Sequence, residues 1–236
     1  MCLVYELKKT AGGTLMDRKA LAVRRVAAVF FMIFFFAFSG LALAEVAGDF
    51  SQRLTAAREK VDRVAEYKLK GDPSWEKDLK AVYGELLGLI KENRQSAEAY
   101  YLTARCYYYN GSPRKAIKAA KNAIKIDPSY VDGLVFIGDM HAEIIKNIIK
   151  NDFSTNLEGS IHSDSRDATK VYEMALKVVG LSKEAEANIY LKLGDLNILH
   201  ESPQRKNAAR AFWQKAAETL PEGVAAKSAV ERLNKK

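Results

Sequence analysis

The sequence predicts an all-α protein of about nine helices, and three observations support this fold class. From Glu45 to the end of the chain, apolar residues recur at intervals of three and four, which is the period of a helix buried on one side. The alternation of polar and apolar residues that is typical of half-buried strands is almost absent. Short breaks divide the chain at Gly71-Asp72-Pro73, Asn110-Gly111-Ser112-Pro113, Asp127-Pro128, Gly180, Ser202-Pro203 and Pro221.

The first 44 residues differ from the rest of the chain. A basic region, formed by Arg18, Lys19, Arg24 and Arg25, precedes the uncharged segment Val26–Ala44. This segment ends in Ala42-Leu43-Ala44, a small-x-small pattern that is typical of signal-peptide cleavage sites. We therefore expect residues 1–44 to be a signal peptide that directs the protein to the periplasm of a bacterium. An uncleaved inner-membrane anchor is the alternative, since this uncharged segment of 19 residues can just span a bilayer. Met16 is an alternative start of the chain.

Charge and cysteine content limit the function classes. Cleavage after Ala44 would leave a chain with a net charge of +4, which gives little support to nucleic-acid binding. Cys2 would leave with the signal peptide. Cys106 would then be the only cysteine, so that a monomer could form no internal disulfide.

The helical part of the chain contains an internal repeat. Ala104 and Gly138 lie 34 residues apart, and each follows a large side chain by four residues, Tyr100 and Leu134. Gly194 follows Tyr190 in the same way. Downstream, the spacing of Ala116, Ala120, Ala123 and Pro128 recurs at Ala209, Trp213, Ala216 and Pro221. Small residues at these positions let helix backbones approach closely, while the larger residues fill the space beside them.

This spacing resembles the tetratricopeptide repeat. The resemblance implies a right-handed solenoid of antiparallel helix pairs with a concave inner face. Repeats are expected at residues 97–128, at 131–180 with an insertion near 151–165, and at 187–221; a diverged helix pair is expected at 49–93 and a capping helix at 223–235. The chain departs from the family pattern at Thr103, where leucine is usual, and at Ala120, where an aromatic residue is usual.

The resemblance also implies where a partner would bind, because the first helix of each unit lines the concave face. The predicted groove residues are Tyr101, Arg105, Tyr108, Tyr109, Asp132, Asp139, Glu143 and Asp195. This set predicts a groove that is aromatic at one end and acidic in the middle. Ordinary packing is the competing interpretation for the tyrosines, above all for Tyr107. In the family, a Lys and an Asn at these positions begin a clamp for the C-terminal carboxylate of a partner. This chain has Tyr101 and Arg105 there instead, so we do not expect it to recognise a C-terminal carboxylate in that way.

The insertion raises a separate question, because helix-forming residues continue well past Gly138. Ile144, Ile145, Ile148 and Ile149 form an apolar stripe at helical spacing. Two interpretations stay open. Phe153, Leu157 and Ile161 could fold back and cover the stripe, or Ile145 and Ile149 could form an exposed docking surface.

Patterns for catalysis or metal binding are lacking. His141, His162 and His200 have no ligand spacing, and no nucleophile–base order or Gly-rich phosphate loop occurs. Lys115, Lys118, Lys121 and Lys125 form a basic stripe, interpreted as a solvated face or, alternatively, as a contact for anionic lipid headgroups.

We therefore expect no enzyme, cofactor or metal, but an adaptor or assembly factor of the cell envelope that binds protein partners in its groove. It would meet the membrane only through an uncleaved N-terminal segment. The alternative is a small-ligand carrier or transporter accessory protein with an enclosed pocket.

Overall fold

The computed structural model describes residues 49–151, 158–199 and 202–234, and these residues are helical apart from short connections. The predicted signal segment and His200 lie outside the described residues. The chain divides into two units, residues 1–53 and 54–236. Of the first unit only residues 49–53 are described, and they are helical.

Nine helices occur in the described part of the second unit, with no strand among these residues. They are α1 (54–70), α2 (Ser74–Glu92), α3 (Ala97–Tyr109), α4 (Pro113–Ile126), α5 (Val131–Lys150), α6 (Glu158–Leu176), α7 (Lys183–Ile198), α8 (Pro203–Thr219) and α9 (Val224–Asn234). No helix in the described ranges is both long enough and apolar enough to cross a membrane.

Capping residues set several of the helix starts. The hydroxyls of Ser96, Ser182 and Ser202 each accept a 3.2 Å hydrogen bond from the backbone N–H three residues further on. Pro113 and Pro203 occupy the first positions of α4 and α8, where no backbone donor is needed. The short breaks between the apolar segments are therefore followed directly by new helices and not by long loops.

Each helix packs mainly against its neighbours in the sequence, as in a solenoid. The most extensive contacts join α3 to α4, α5 to α6 and α7 to α8, while α9 covers α8 and α7. Fully buried alanines, such as Ala104, Ala116 and Ala120, lie in the core between these helices. The predicted all-α solenoid of helix pairs is confirmed.

Helices α5 and α6 are longer than the preceding pair. They contain 20 and 19 residues, whereas α3 and α4 contain 13 and 14. The polar stretch predicted as an insertion near 151–165 is helical from Glu158 onward. Part of the insertion therefore extends α6 beside the extended end of α5.

The extension of α6 determines which residues of the isoleucine stripe are buried. Ile145 is fully buried, so the prediction that it forms part of a docking surface is wrong. The extra turns of α6 pack against α5, and Ile148 and Ile161 lie at the edge of the same core. Ile149 remains 48% exposed, as a single apolar side chain. Phe153 and Leu157, the other proposed covering residues, lie outside the described residues.

Candidate functional site

A groove of about 360 Å³ lies across the alternate helices α3, α5 and α7, with Tyr172 of α6 in its wall. We call it the inner groove. It brings together six of the eight predicted site residues, namely Arg105, Tyr108, Tyr109, Asp139, Glu143 and Asp195. It also contains Lys146 and Lys192, which the sequence interpretation did not include.

The three consecutive tyrosines of α3 point to three different neighbours. Tyr107 faces α2, where its hydroxyl and that of Tyr83 share a 2.7 Å hydrogen bond. Tyr108 is 38% exposed and meets Phe136 of α5 edge-on, at a centroid distance of 6.3 Å. Tyr109 lies against Arg105 and Tyr108. Tyr107 is thus a packing residue, and Tyr108 is the most exposed aromatic residue in the groove wall.

Arg105 holds the start of the groove together. Its guanidinium forms a 2.7 Å ion pair with Asp62 of α1 and donates a 3.1 Å hydrogen bond to the hydroxyl of Tyr109. Only 18% of the Arg105 side chain is exposed. Arg105 therefore joins α1 to α3, and replacing it would disturb this contact as well as the groove wall.

Two predicted site residues do not line the inner groove. Tyr101 packs edge-on against Tyr130 and Phe136, with centroid distances of 5.5 and 5.7 Å, and burial raises the pKa of its hydroxyl. Asp132 lies exposed in the first turn of α5, where negative charge is favourable. Tyr101 therefore belongs to the contact between α3 and α5, whereas Asp132 faces the surface outside the groove.

Asp139 is the centre of a hydrogen-bonded cluster that links three helices. One of its carboxylate oxygens accepts a 2.7 Å hydrogen bond from the hydroxyl of Tyr172 on α6. Both oxygens accept hydrogen bonds from Lys192 on α7, at 2.8 and 2.9 Å. The side chains of Asp139 and Lys192 are 34% and 27% exposed, so the pair lies at the surface of the groove.

Asp195 forms a similar cluster one repeat later. It accepts a 3.0 Å hydrogen bond from the indole nitrogen of Trp213 on α8. It also accepts two hydrogen bonds from Arg232 on α9, at 2.5 and 2.8 Å. In both repeats, an aspartate thus accepts hydrogen bonds from an aromatic residue and from a cation of the next inner or capping helix.

A glycine precedes each of these aspartates, and the aromatic ring explains why. A Cβ atom on Gly138 would lie 2.5 Å from the ring of Tyr172, and one on Gly194 would collide with the indole of Trp213. The ring therefore lies directly on the helix backbone, and the neighbouring aspartate accepts its polar hydrogen. This stacking is the physical basis of the spacing seen in the sequence.

The middle of the groove is not acidic, in contrast to the expectation drawn from its carboxylates. Asp139 and Asp195 are paired with Lys192 and Arg232, and Lys146 adds a further positive charge. Glu143 has no ion-pair partner within the described ranges. The sequence does contain a pattern that could have identified Lys192 as a groove residue. It lies two residues before Gly194, and the equivalent positions in the other repeats are apolar, namely Leu102 and Phe136.

These features define a class of protein, a solenoid of helix pairs whose alternate helices line a groove. Residues 97–130 match the family model described as Tetratricopeptide repeat. The chain therefore contains a tetratricopeptide repeat.

Among the solved structures to which the chain is similar are two of low sequence identity. The crystal structure of MamA has a TM-score of 0.44 and 16% identity, and the match covers 69% of this chain and 83% of that chain. TTC0263, a thermophilic TPR protein from Thermus thermophilus, has a TM-score of 0.35 and 18% identity, and the match covers 74% of this chain and 99% of that chain. No curated protein matches the chain.

Proposed function

We propose that this protein is a scaffold or adaptor of the cell envelope, and that its inner groove binds a segment of another protein. The observation that carries the proposal is the composition of the groove wall. Exposed aromatic surface at Tyr108 lies beside charged groups of both signs from α3, α5 and α7. Aromatic residues and arginine are enriched among the residues that dominate protein interfaces.

Preorganisation supports this use of the groove. Asp139 is held by Tyr172 and Lys192 before any partner arrives, and Asp195 is held by Arg232 and Trp213. A wall that is already ordered loses little conformational entropy on binding. A partner would meet the exposed faces of Tyr108 and Glu143 while the ion pairs keep the helices in place.

The shape and polarity of the site favour an adaptor over a small-ligand carrier. A carrier pocket is mainly apolar and encloses most of its ligand. The inner groove is an open depression lined by Arg105, Lys146, Lys192 and three carboxylates. Such a rim suits an extended protein segment that offers polar groups along its length.

The cell-envelope location rests on the N-terminal sequence. The basic region, the uncharged Val26–Ala44 segment and the Ala42-Leu43-Ala44 site support export to the periplasm. N-terminal sequencing of the protein from cell fractions tests this part. A chain that begins at Glu45 in the periplasm supports cleavage, whereas an intact segment in the membrane fraction supports the anchored alternative.

Binding to the groove is tested separately with purified variants. A partner is first captured from envelope extract, and its affinity is then measured by calorimetry. The combined change Tyr108→Ala and Glu143→Gln should weaken binding by about tenfold or more, because it removes the exposed aromatic contact and the unpaired charge.

The matched control is Lys77→Gln together with Lys91→Gln, on exposed positions of α2. These changes should leave the affinity unchanged. The groove proposal fails if both pairs of changes have the same effect on binding.

A further inference from the structure

The outer surface of α4 carries an unbalanced positive charge. Helix α4 contains Arg114, Lys115, Lys118, Lys121 and Lys125 but no aspartate or glutamate, and all five cations are exposed. Within the described ranges, none of the four lysines has an ion-pair partner. Arg114 reaches Asp164 of α6 only at 3.9 Å.

A cavity of about 370 Å³ adjoins this helix, between α4, α5 and α6. Its apolar wall includes Ile124, Val171 and the partly exposed Met174. Its charged groups are Lys121, Lys125 and Lys170, against the single carboxylate of Asp167. The cavity thus combines an apolar wall with an excess of positive charge, and it is separate from the inner groove.

His141 adds an unsatisfied polar group to the same wall. Its Nδ1 and Oδ1 of Asp164 are 2.7 Å apart, and both side chains are more than nine-tenths buried. The other ring nitrogen, Nε2, is buried and has no hydrogen-bond partner in the described part of the chain. Buried polar atoms are normally paired, so an unpaired one in a cavity wall points to a missing partner.

From this arrangement we propose that the cavity, which we call the outer cavity, binds an acidic peptide segment of a partner protein through one apolar anchor residue. The anchor side chain lies against Ile124, Val171 and Met174. Flanking carboxylates pair with Lys121, Lys125 and Lys170, and a polar group of the segment supplies the hydrogen bond that His141 lacks. This second binding surface would let the scaffold hold two proteins at once.

The surface suits a peptide better than a membrane. A helix that lies on a bilayer inserts an apolar face between the lipids, whereas the exposed side chains of α4 are Arg114, Asn122 and the four lysines. The apolar surface lies in an open depression between α4, α5 and α6, where a single side chain can reach it. Charge complementarity then favours aspartate and glutamate on either side of that side chain.

The test uses the full chain and two labelled probe peptides, measured by fluorescence anisotropy at low salt. Both peptides consist of aspartate and glutamate, with a central leucine in one and a central serine in the other. The leucine peptide should bind more tightly than the serine peptide. Binding should weaken by about tenfold or more when Lys121, Lys125 and Lys170 are all changed to Gln, and it should weaken again as salt is raised.

Two further variants make the test specific. Met174→Gln should lower affinity for the leucine peptide but not for the serine peptide. The control, which changes exposed Lys77, Lys91 and Lys227 to Gln, removes the same charge elsewhere and should leave binding intact. The groove variant with Tyr108→Ala and Glu143→Gln should also leave it intact, so that failure here is distinguishable from failure of the groove proposal.

Three results would overturn the inference. Equal binding of the leucine and serine peptides would show that no anchor is used. Equal loss in the two triple-lysine variants would show that only net charge matters. Tighter binding to phosphatidylglycerol vesicles than to the leucine peptide, lost in the variant lacking Lys121, Lys125 and Lys170, would assign the surface to a membrane instead.

Discussion

The hydroxyl of Tyr172 donates a 2.7 Å hydrogen bond to Asp139, and the ring of the same tyrosine lies on the backbone of Gly138. The side chain of Tyr172 therefore contacts two consecutive residues of α5: its ring packs on Gly138, and its hydroxyl donates a hydrogen bond to Asp139. Trp213 makes the same pair of contacts with Gly194 and Asp195. This arrangement fixes the second helix of each pair against the inner helix that lines the groove.

The first prediction concerns the glycine beneath the ring. Gly138→Ala should destabilise the protein by about 1–3 kcal/mol, because the new methyl group would lie 2.5 Å from the buried ring of Tyr172. Gly84→Ala is the control, since no atom lies within 4 Å of a Cβ at that exposed helical position. It should stabilise the protein by about 0.5–1 kcal/mol. Urea denaturation measures both, and equal effects of the two changes would contradict the stacking explanation.

The second prediction separates two residues of the isoleucine stripe. Ile145→Lys should lower the free energy of unfolding by about 4 kcal/mol or more, because it places an unpaired charge at a fully buried position. Ile149→Lys should change it by less than about 0.5 kcal/mol, since that side chain is 48% exposed. Thermal melting of the two variants checks this. A folded Ile145→Lys variant with wild-type stability would mean that α6 does not cover α5.

The sequence contains the spacing rules of this fold but not its longer-range contacts. Gly138 and Tyr172 could be predicted as packing positions because small and aromatic residues recur at fixed intervals. The ion pair of Asp139 with Lys192 joins residues 53 positions apart, and it depends on how α5 and α7 face one another. The local periodicity of the sequence does not show that these two residues pair. The sequence interpretation therefore counted the carboxylates without their cations and predicted an acidic groove wall.

The burial of Ile145 was one of two interpretations that the sequence left open, for a similar reason. The residues around Gly159 and Ser163 are polar and were interpreted as part of an insertion, so the sequence did not decide whether they cover the stripe. They form the first turns of α6 because Asp164 pairs with buried His141 while Ile161 packs on the core. Tertiary contacts here override weak local helix propensity.

The third prediction concerns pH and the tyrosine pair between α2 and α3. The hydrogen bond with Tyr107, together with burial, raises the pKa of Tyr83 to about 12. An unfolded tyrosine has a pKa of about 10. The native state therefore holds its proton more tightly, and this contribution to stability is complete below about pH 10 and is lost as the pH rises towards about 12.

Denaturation measured across this pH range tests the third prediction. Tyr107→Phe removes the hydrogen bond to Tyr83 and should flatten the loss of stability between pH 10 and 12, apart from the contribution of other groups. Tyr190→Phe serves as a control because Tyr190 stacks on Phe212 instead. The same alkaline profile in wild type and Tyr107→Phe would rule out the proposed role of this pair.

The central claim is that the inner groove binds a protein partner, and site-specific photocrosslinking tests it most directly. A photoreactive phenylalanine analogue is placed at Tyr108 in the groove and, in a second variant, at exposed Lys77 on α2. After irradiation of cells that produce each variant, crosslinked products are separated by mass. We predict a discrete adduct with one protein from position 108, reduced by Glu143→Gln and absent from position 77. No adduct from position 108, or the same adducts from both positions, would contradict the claim.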